Sequence, residues 1–336
     1  MIYKKLIRPL LFNLNPETAH KLYEFTVEYF PFIFLPLKTR NKNKRGIKKT
    51  VSGIKIANRV GLAAGFDKNG RVFHSIGTFG FGYVVVGTVT LCAKEGNPEP
   101  RFRRLSKYES LVNSMGFPNE GVNQIVQRLD SHKSKLKDVP IVVSISGITV
   151  NEISECFKIV EPFCDAVELN LSSPNTKGVK IFHQKEKFNE LLGELNRLKG
   201  KPLWVKLPSY GHIEIEGLSG DSYQNAKELV LDLARFSVDF GVDALTVGNS
   251  RPVRDLKMAT GFGGLSGKAL IEDTIVMIKD VREHVGGLTS INGCGGIFNA
   301  NDAERVINAG ATTVQVYSGL LYEGPKVAQH ISKSIG

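Results

Sequence analysis

Cysteine is scarce in this 336-residue chain. Cys92, Cys156, Cys164 and Cys294 are scattered, and no two share a Cys-x-x-Cys spacing. That spacing would be needed for a common zinc site or a redox dithiol, so neither is expected; the pattern also argues against a disulfide framework and fits a reducing cytoplasm. Long apolar runs are missing as well. The most apolar stretch, Tyr29–Leu37, is nine residues long and broken by Pro31 and Pro36, far below the roughly 20 residues that span a bilayer. The start is basic, but it has neither an A-x-A cleavage pattern nor an unbroken apolar run of signal-peptide length. Acidic residues are outnumbered, 33 against 44 Lys and Arg. With 42% hydrophobic and 23% charged residues, the composition is that of a globular protein rather than a disordered or fibrous one.

The excess positive charge is concentrated. Residues 1–50 carry +8 of the net +11. A basic head on a near-neutral body suits an anionic partner, lipid headgroups or nucleic acid; for Lys38–Lys49 alone, a solvated linker explains the charge equally well. From residue 60 onward a unit recurs: a short run rich in Val, Ile and Leu ends in Gly, Ser, Asn or Thr, and a helical pattern follows. Eight such runs stand at Val60–Ala64, Tyr83–Gly87, Ile141–Ile145, Ala166–Leu169, Leu203–Leu207, Ala244–Val247, Thr289–Ile291 and Thr313–Val316. Near-continuous apolar runs suit parallel strands buried on both faces. Asn151–Phe163, Lys185–Leu198 and Ser222–Phe240 have helical spacing. Eight β-α units predict a closed (β/α)₈ TIM barrel over 60–336. The long connections Thr88–Pro118, Pro208–Asp221 and Gly248–Leu265 would then gather at its C-terminal face. Residues 1–40 stand outside the repeat and read as a two-helix extension, Ile2–Leu14 and Pro16–Phe30, with Asn15 as N-cap. Residues 41–59 read as a basic linker.

Four strand ends carry polar or glycine-rich motifs. After the first strand comes Gly61-Leu62-Ala63-Ala64-Gly65-Phe66-Asp67-Lys68-Asn69-Gly70, small residues that let a flat ligand reach the backbone, with Lys68 as a positive charge. After the fourth comes Asn170-Leu171-Ser172-Ser173-Pro174-Asn175-Thr176, whose asparagines offer donors and acceptors suited to an imide-like ring. The fifth strand carries Lys206 within Trp204-Val205-Lys206-Leu207, costly unless it meets an anion. Gly293-Cys294-Gly295-Gly296 and Tyr317-Ser318-Gly319 end the last two strands, where barrels of this kind bind phosphate. Gly264-Leu265-Ser266-Gly267 is expected to open the helix after strand six and to add an N–H group.

Taken together, and with GTVT at 87–90, Asn113-Ser114-Met115-Gly116-Phe117, Val205-Lys206, Asn249-Ser250, GGLSG at 263–267 and VQVYSG at 314–319, these motifs resemble the dihydroorotate dehydrogenases from about residue 9 to the end. The resemblance implies an FMN across the barrel top. Its phosphate would sit at Gly296, Tyr317 and Ser318 with help from Gly267; Ala64, Gly65, Lys68, Thr88, Asn170 and Lys206 would border the flavin. Dihydroorotate or orotate would be held by Lys68, Asn113, Met115, Gly116, Phe117, Asn170, Asn175, Asn249 and Ser250. Ser173 would be the base that takes the C5 proton. The soluble class of the family has a cysteine there, so a serine indicates the quinone-dependent class. The N-terminal helices point the same way, as a tunnel for a membrane quinone, with His20 and Arg101 near it. The class implies a peripheral place on the cytoplasmic side of the cell membrane and a role in de novo pyrimidine (UMP) biosynthesis.

Two positions depart from that pattern. Ser144-Ile145-Ser146-Gly147 stands where Asn-Ile-Gly-Lys is usual, so the flavin loses an asparagine contact there, and Ser144 could donate one hydrogen bond in its place; the sequence leaves open whether it does. Gly248 stands in place of a threonine. The competing readings are a soluble dihydroorotate dehydrogenase using fumarate or NAD, and a non-catalytic phosphate- or RNA-binding barrel suggested by a pI near 9.4. Ser173 and the N-terminal helices oppose the first. The second would put the positive charge at the barrel top, whereas most of it precedes residue 50, so no nucleic-acid partner is expected.

Overall fold

In a computed structural model, residues 2–335 are described except for 31, 34–48, 137, 173–175, 177, 213, 214 and 220–222. A π-helical turn, Tyr3–Ile7, leads into α1 (Arg8–Asn13), and α2 (Pro16–Tyr29) follows. The Asn15 side chain caps α2 by accepting from the Glu17 N–H at 2.9 Å, and Pro16 takes the first position, where no donor is needed. Next come β1 (Lys49–Val51), β2 (Ile54–Ile56), β3 (Val60–Asp67), α3 (Phe73–Ile76), β4 (Tyr83–Val89), β5 (Phe102–Leu105), β6 (Ser110–Asn113), α4 (Val122–Lys133), β7 (Ile141–Ile145), α5 (Val150–Val160), β8 (Ala166–Asn170), α6 (Lys185–Leu198) and β9 (Leu203–Lys206). The chain continues through α7 (Tyr223–Asp239), β10 (Ala244–Val247), β11 (Arg251–Arg254), β12 (Phe262–Gly267), α8 (Ile271–Val285), β13 (Ser290–Cys294), α9 (Ala300–Asn308), β14 (Thr313–Val316), α10 (Ser318–Glu323) and α11 (Val327–Ile335).

Strands β3, β4, β7, β8, β9, β10, β13 and β14 close into a parallel barrel in that order. They are the eight expected runs, three with the same ends and the others shifted by a few residues. Alternation sends Val167 and Leu169 outward into the helix-facing core and Ala166 inward. The inner bottom layer holds Tyr83, Val85, Val142, Ala166, Trp204 and Ala244. Beneath it the hairpin of β1 and β2 inserts Ile54 and Ile56, so the described end of the expected linker forms the barrel's floor. Hydrogen bonds fix this hairpin: Trp204 Nε1 donates to the Ser52 carbonyl at 2.7 Å, and the Ser52 hydroxyl donates to Asn292 Oδ1 at 3.0 Å.

The first and third long connections are not irregular. They supply β5, β6, β11 and β12, which form an antiparallel sheet ordered β11-β12-β6-β5 over one side of the barrel mouth. Gly264–Gly267 therefore lies in a strand paired to Ser110–Asn113, and only Gly267, at its end, caps the turn Lys268–Leu270 that leads into α8; pairing with a partner more than 150 residues away overrides the rest of the local glycine pattern. The N-terminal helices are tied to this roof and to α10. Tyr3 Oη donates to the Leu321 carbonyl at 2.6 Å, and the Arg104 guanidinium caps α1 by donating to the carbonyls of Phe12 and Leu14 at 3.0 and 2.6 Å. These bonds satisfy carbonyls that a helix end leaves open.

Ile54 is 4% exposed within the floor cluster. Ile54→Ala is expected to cost about 2–5 kcal/mol of stability, read as a lower urea midpoint for the emission of Trp204, the chain's one tryptophan. An unchanged midpoint would show that the hairpin lies outside the barrel's cooperative unit.

Candidate active site

The C-terminal mouth of the barrel, roofed by the four-stranded sheet, holds an open cleft of about 160 Å³. Ala64, Gly65, Lys68, Thr88, Asn113, Met115, Gly116, Phe117, Asn170, Lys206, Asn249, Ser250, Gly267, Gly296, Tyr317 and Ser318 all line it. Sixteen of the residues picked out in the sequence thus converge on one space. Ser173 and Asn175 lie outside the described residues; their neighbour Ser172 is buried at the same mouth.

Each side chain is held from below. The Asp67 carboxylate, fully buried at the end of β3, accepts from the backbone N–H groups of Arg71, Val72 and Phe73 at 2.9, 2.9 and 2.6 Å. Burial pushes its pKa up and those three donors oppose the rise. The clamp fixes the turn from which Lys68 enters the cleft. Burial lowers the pKa of Lys68, while the carboxylates of Glu24, Glu17 and Asp67 pull it back up.

A belt of hydrogen bonds then crosses the mouth. The hydroxyls of Ser144 and Thr88 are 3.2 Å apart. Asn170 Nδ2 donates to Thr88 Oγ1 at 2.9 Å, Ser172 Oγ donates to Asn170 Oδ1 at 3.0 Å, and Asn249 Nδ2 donates to Ser172 Oγ at 2.7 Å. The Asn249 backbone N–H donates to Ser209 Oγ at 2.6 Å. Such a network fixes which amide atom faces the cleft. Ser172 and Ser209 were missed by sequence reasoning, although the serine doublet at 172–173 was a signal. Ser144, the candidate substitute contact, is buried against Thr88 and does not line the cleft.

Gln315 and Cys294 also line the cleft and were not singled out. The Gln315 amide makes no hydrogen bond of normal geometry at either atom, though it stands close enough to the Tyr83 hydroxyl to influence it. Burial raises the Cys294 thiol pKa, with Lys206 drawing it down and Glu168 pushing it further up. The chemistry on offer is a bare-backbone cradle, two lysines and several amides, which fits a planar, anionic, polar-edged ligand. It fits a flavin phosphate as well: a Cβ at Gly296 would lie 2.4 Å from the Ile271 nitrogen, so backbone alone can face a group there.

His20 and Arg101 are not in the lining. His20 stacks edge-to-face on Phe66 at 5.5 Å, and Phe66 in turn meets Tyr317 of the cleft at 5.8 Å. Its Nε2 lies 3.2 Å from Glu24 Oε1, close but off the line of a hydrogen bond. Arg101 is gripped by Glu17, with both contacts at 2.9 Å. Burial disfavours the Glu17 charge, yet that guanidinium holds its carboxyl below the usual range. Among the described residues no group of three or more His, Cys, Asp or Glu could hold a metal.

Comparison with known proteins decides the lineage. The family model for dihydroorotate dehydrogenase matches residues 46–336. The chain belongs to that family. It is 34% identical to the dihydroorotate dehydrogenase (quinone) of Methylococcus capsulatus, covering 100% of this chain and 99% of the relative. It is 33% identical to the enzyme of the same name from Alkalilimnicola ehrlichii, with 98% of each covered. Among solved structures, the Eimeria tenella dihydroorotate dehydrogenase in complex with ferulenol superposes with a TM-score of 0.81 at 28% identity, covering 95% of this chain and 90% of that one. For a family member, the glycine at 248 has a local reason: its φ is +103° and a Cβ would stand 1.9 Å from the Cys294 carbonyl oxygen. Gly248→Ala is therefore expected to lower stability by more than about 1 kcal/mol, measured by urea denaturation. A neutral result would show that the strand ends can separate to make room.

Proposed function

We propose that this protein oxidises dihydroorotate to orotate in de novo pyrimidine biosynthesis and passes the electrons to a membrane quinone. The observation that carries the reading is the convergence of Lys68, Asn113, Asn170, Asn249 and Lys206 on one roofed cleft in a chain related over its full length to quinone-class enzymes. Lys68 would bind the substrate carboxylate. The amides of Asn113, Asn170, Asn175 and Asn249, with Ser250, would hold the ring edges, while Met115, Gly116 and Phe117 close over it. FMN, when bound, supplies the acceptor for the C6 hydride and hands the electrons on. Gly267, Gly296, Tyr317 and Ser318 would hold its phosphate; Ala64, Gly65, Thr88, Asn170 and Lys206 would border its ring. Lys206 brings positive charge to a site that gains negative charge on reduction.

Ser173 would take the C5 proton. A hydroxyl needs a dry pocket and an onward proton path to act as a base, and the neighbouring belt through Ser172 and Asn249 supplies ordered polar partners. Ser173→Ala is expected to keep flavin and orotate but to lose flavin reduction by about 10²–10⁴-fold, measured by anaerobic stopped-flow absorbance with dihydroorotate. Ser173→Cys is expected to keep part of the rate. Release of FAD or of no flavin from the denatured wild type would end the cofactor assignment, and near-normal reduction by the alanine variant would remove Ser173 from the role.

On the quinone side, the ring path His20–Phe66–Tyr317 leads from α2 to the cleft, and Arg101 is tied to the same helix through Glu17. The outer faces of the turn Tyr3–Ile7, α1 and α2 leave Leu6, Leu10, Leu22, Phe25 and Tyr29 exposed, and no described helix is long and apolar enough to cross a membrane. Peripheral docking through these exposed apolar faces, on the cytoplasmic side, is the membrane contact we propose. Leu10 and Phe25 are 70% and 51% exposed, so Leu10→Glu with Phe25→Glu spares the core. The double variant is expected to lose liposome binding and most turnover with a long-tailed quinone, and to keep turnover with a water-soluble dye. Equal loss with both acceptors would refute the docking role.

A further inference from the structure

One charged group in the barrel is left over by this chemistry. Glu168, in the middle of β8, is fully buried and does not line the cleft. Its Oε2 accepts from Thr246 Oγ1 at 2.8 Å, and its Oε1 has no hydrogen-bond partner. A buried, half-satisfied carboxylate is costly by several kcal/mol unless a cation shares its surroundings.

The strand register supplies that cation. Thr246 belongs to β10, and β9 lies between β8 and β10, so the Glu168–Thr246 bond reaches across β9 inside the barrel. On β9 the residue in register with Thr246 is Lys206, which is also in register with Asn170 of β8. Lys206 shares its face with Trp204, two residues earlier, and Trp204 sits in the interior cluster. Lys206 is 4% exposed and borders the cleft floor. The Cys294 thiol, beside both, feels Lys206 and Glu168 with opposite sign in addition to its burial.

We infer that Glu168 is the buried counter-charge of Lys206 and that, through this lysine, it sets the reduction potential of the flavin above it. Glu168 is a positioning residue: it touches neither substrate nor flavin. The inference rests on the flavin reading of the cleft. A carboxylate beneath Lys206 offsets part of the positive potential that the lysine presents to the reduced ring, and so holds the flavin more readily oxidised than the lysine alone would. That favours passing electrons onward to the quinone.

Glu168→Gln keeps the shape and the acceptor for Thr246 while removing the charge. In the flavin-loaded full chain it is expected to favour the reduced flavin at least tenfold, a rise of about 30 mV in the two-electron midpoint, measured by equilibration with a reference dye. Glu168→Met repeats the measurement without the Thr246 bond if the glutamine variant folds poorly. A midpoint unchanged within twofold in the equilibrium constant would mean that the carboxyl carries no charge, and would overturn the inference. A stability cycle tests the pairing without the flavin signal. Lys206→Met leaves Glu168 uncompensated and is expected to lower the urea midpoint, and adding Glu168→Gln is expected to restore part of the loss. A double variant no more stable than Lys206→Met refutes the pair. A wild-type chain that carries no flavin defeats the flavin reading itself, and the cycle then still decides the charge pair.

Discussion

Closing eight parallel strands into a ring forces every second strand residue into a space that water does not share. Everything else in this molecule follows from how that space is filled. At the floor, Trp204 and Tyr83 pack edge to face at 5.5 Å, and the hairpin at Lys49–Ile56 closes the opening beneath them. Above the floor, polar groups enter the barrel and several bond one another: Tyr83, Thr313 and Asn292 form a short chain at 2.8 and 2.7 Å. At the top, side chains give way to glycine backbone, and the interior becomes a site.

The roof has a different logic. Strands of a barrel end in open carbonyls and N–H groups, and the insertions after β4 and β10 use theirs to build a second sheet. That sheet gives the N-terminal helices something to rest on. Arg101 and Arg104 both leave the roof for the extension, the first pairing with Glu17 and the second donating to α1 carbonyls and lying over the Phe12 ring at 4.7 Å. The extension thus turns Glu17, Phe12 and Val27 toward the barrel and leaves Leu6, Leu10, Leu22, Phe25 and Tyr29 facing outward. The same arrangement brings Glu17 and Glu24 near Lys68, so the extension and the substrate end of the cleft share an electrostatic environment.

Much of this was written into local sequence. Apolar runs marked all eight barrel strands, because a strand buried on both faces has little freedom in composition. Lys206, a cation in such a run, does stand at the lining of the cleft, and a cation buried there demands a partner. Applied with equal strictness it would have found Glu168, another charge in a buried strand, but Ala166-Val167-Glu168-Leu169-Asn170 was read for its final asparagine alone. Ser209 and Gln315 gave no such signal. A serine in a loop and a glutamine in a strand are ordinary residues until their neighbours are known.

The sequence by itself determined the repeat, the strand ends where chemistry collects, the capping of α2 at Asn15 and the separation of a basic head from the barrel. These depend on residues close together in the chain, where periodicity, small residues and charge act over a few positions. Tertiary structure decided the roof sheet, the strand state of Gly264–Gly267, the floor hairpin and the inner contacts of Glu168, Cys294 and Gln315. Each of those is a pairing across many residues. Its energy comes from excluding water between distant segments, and nothing local records which segments will meet.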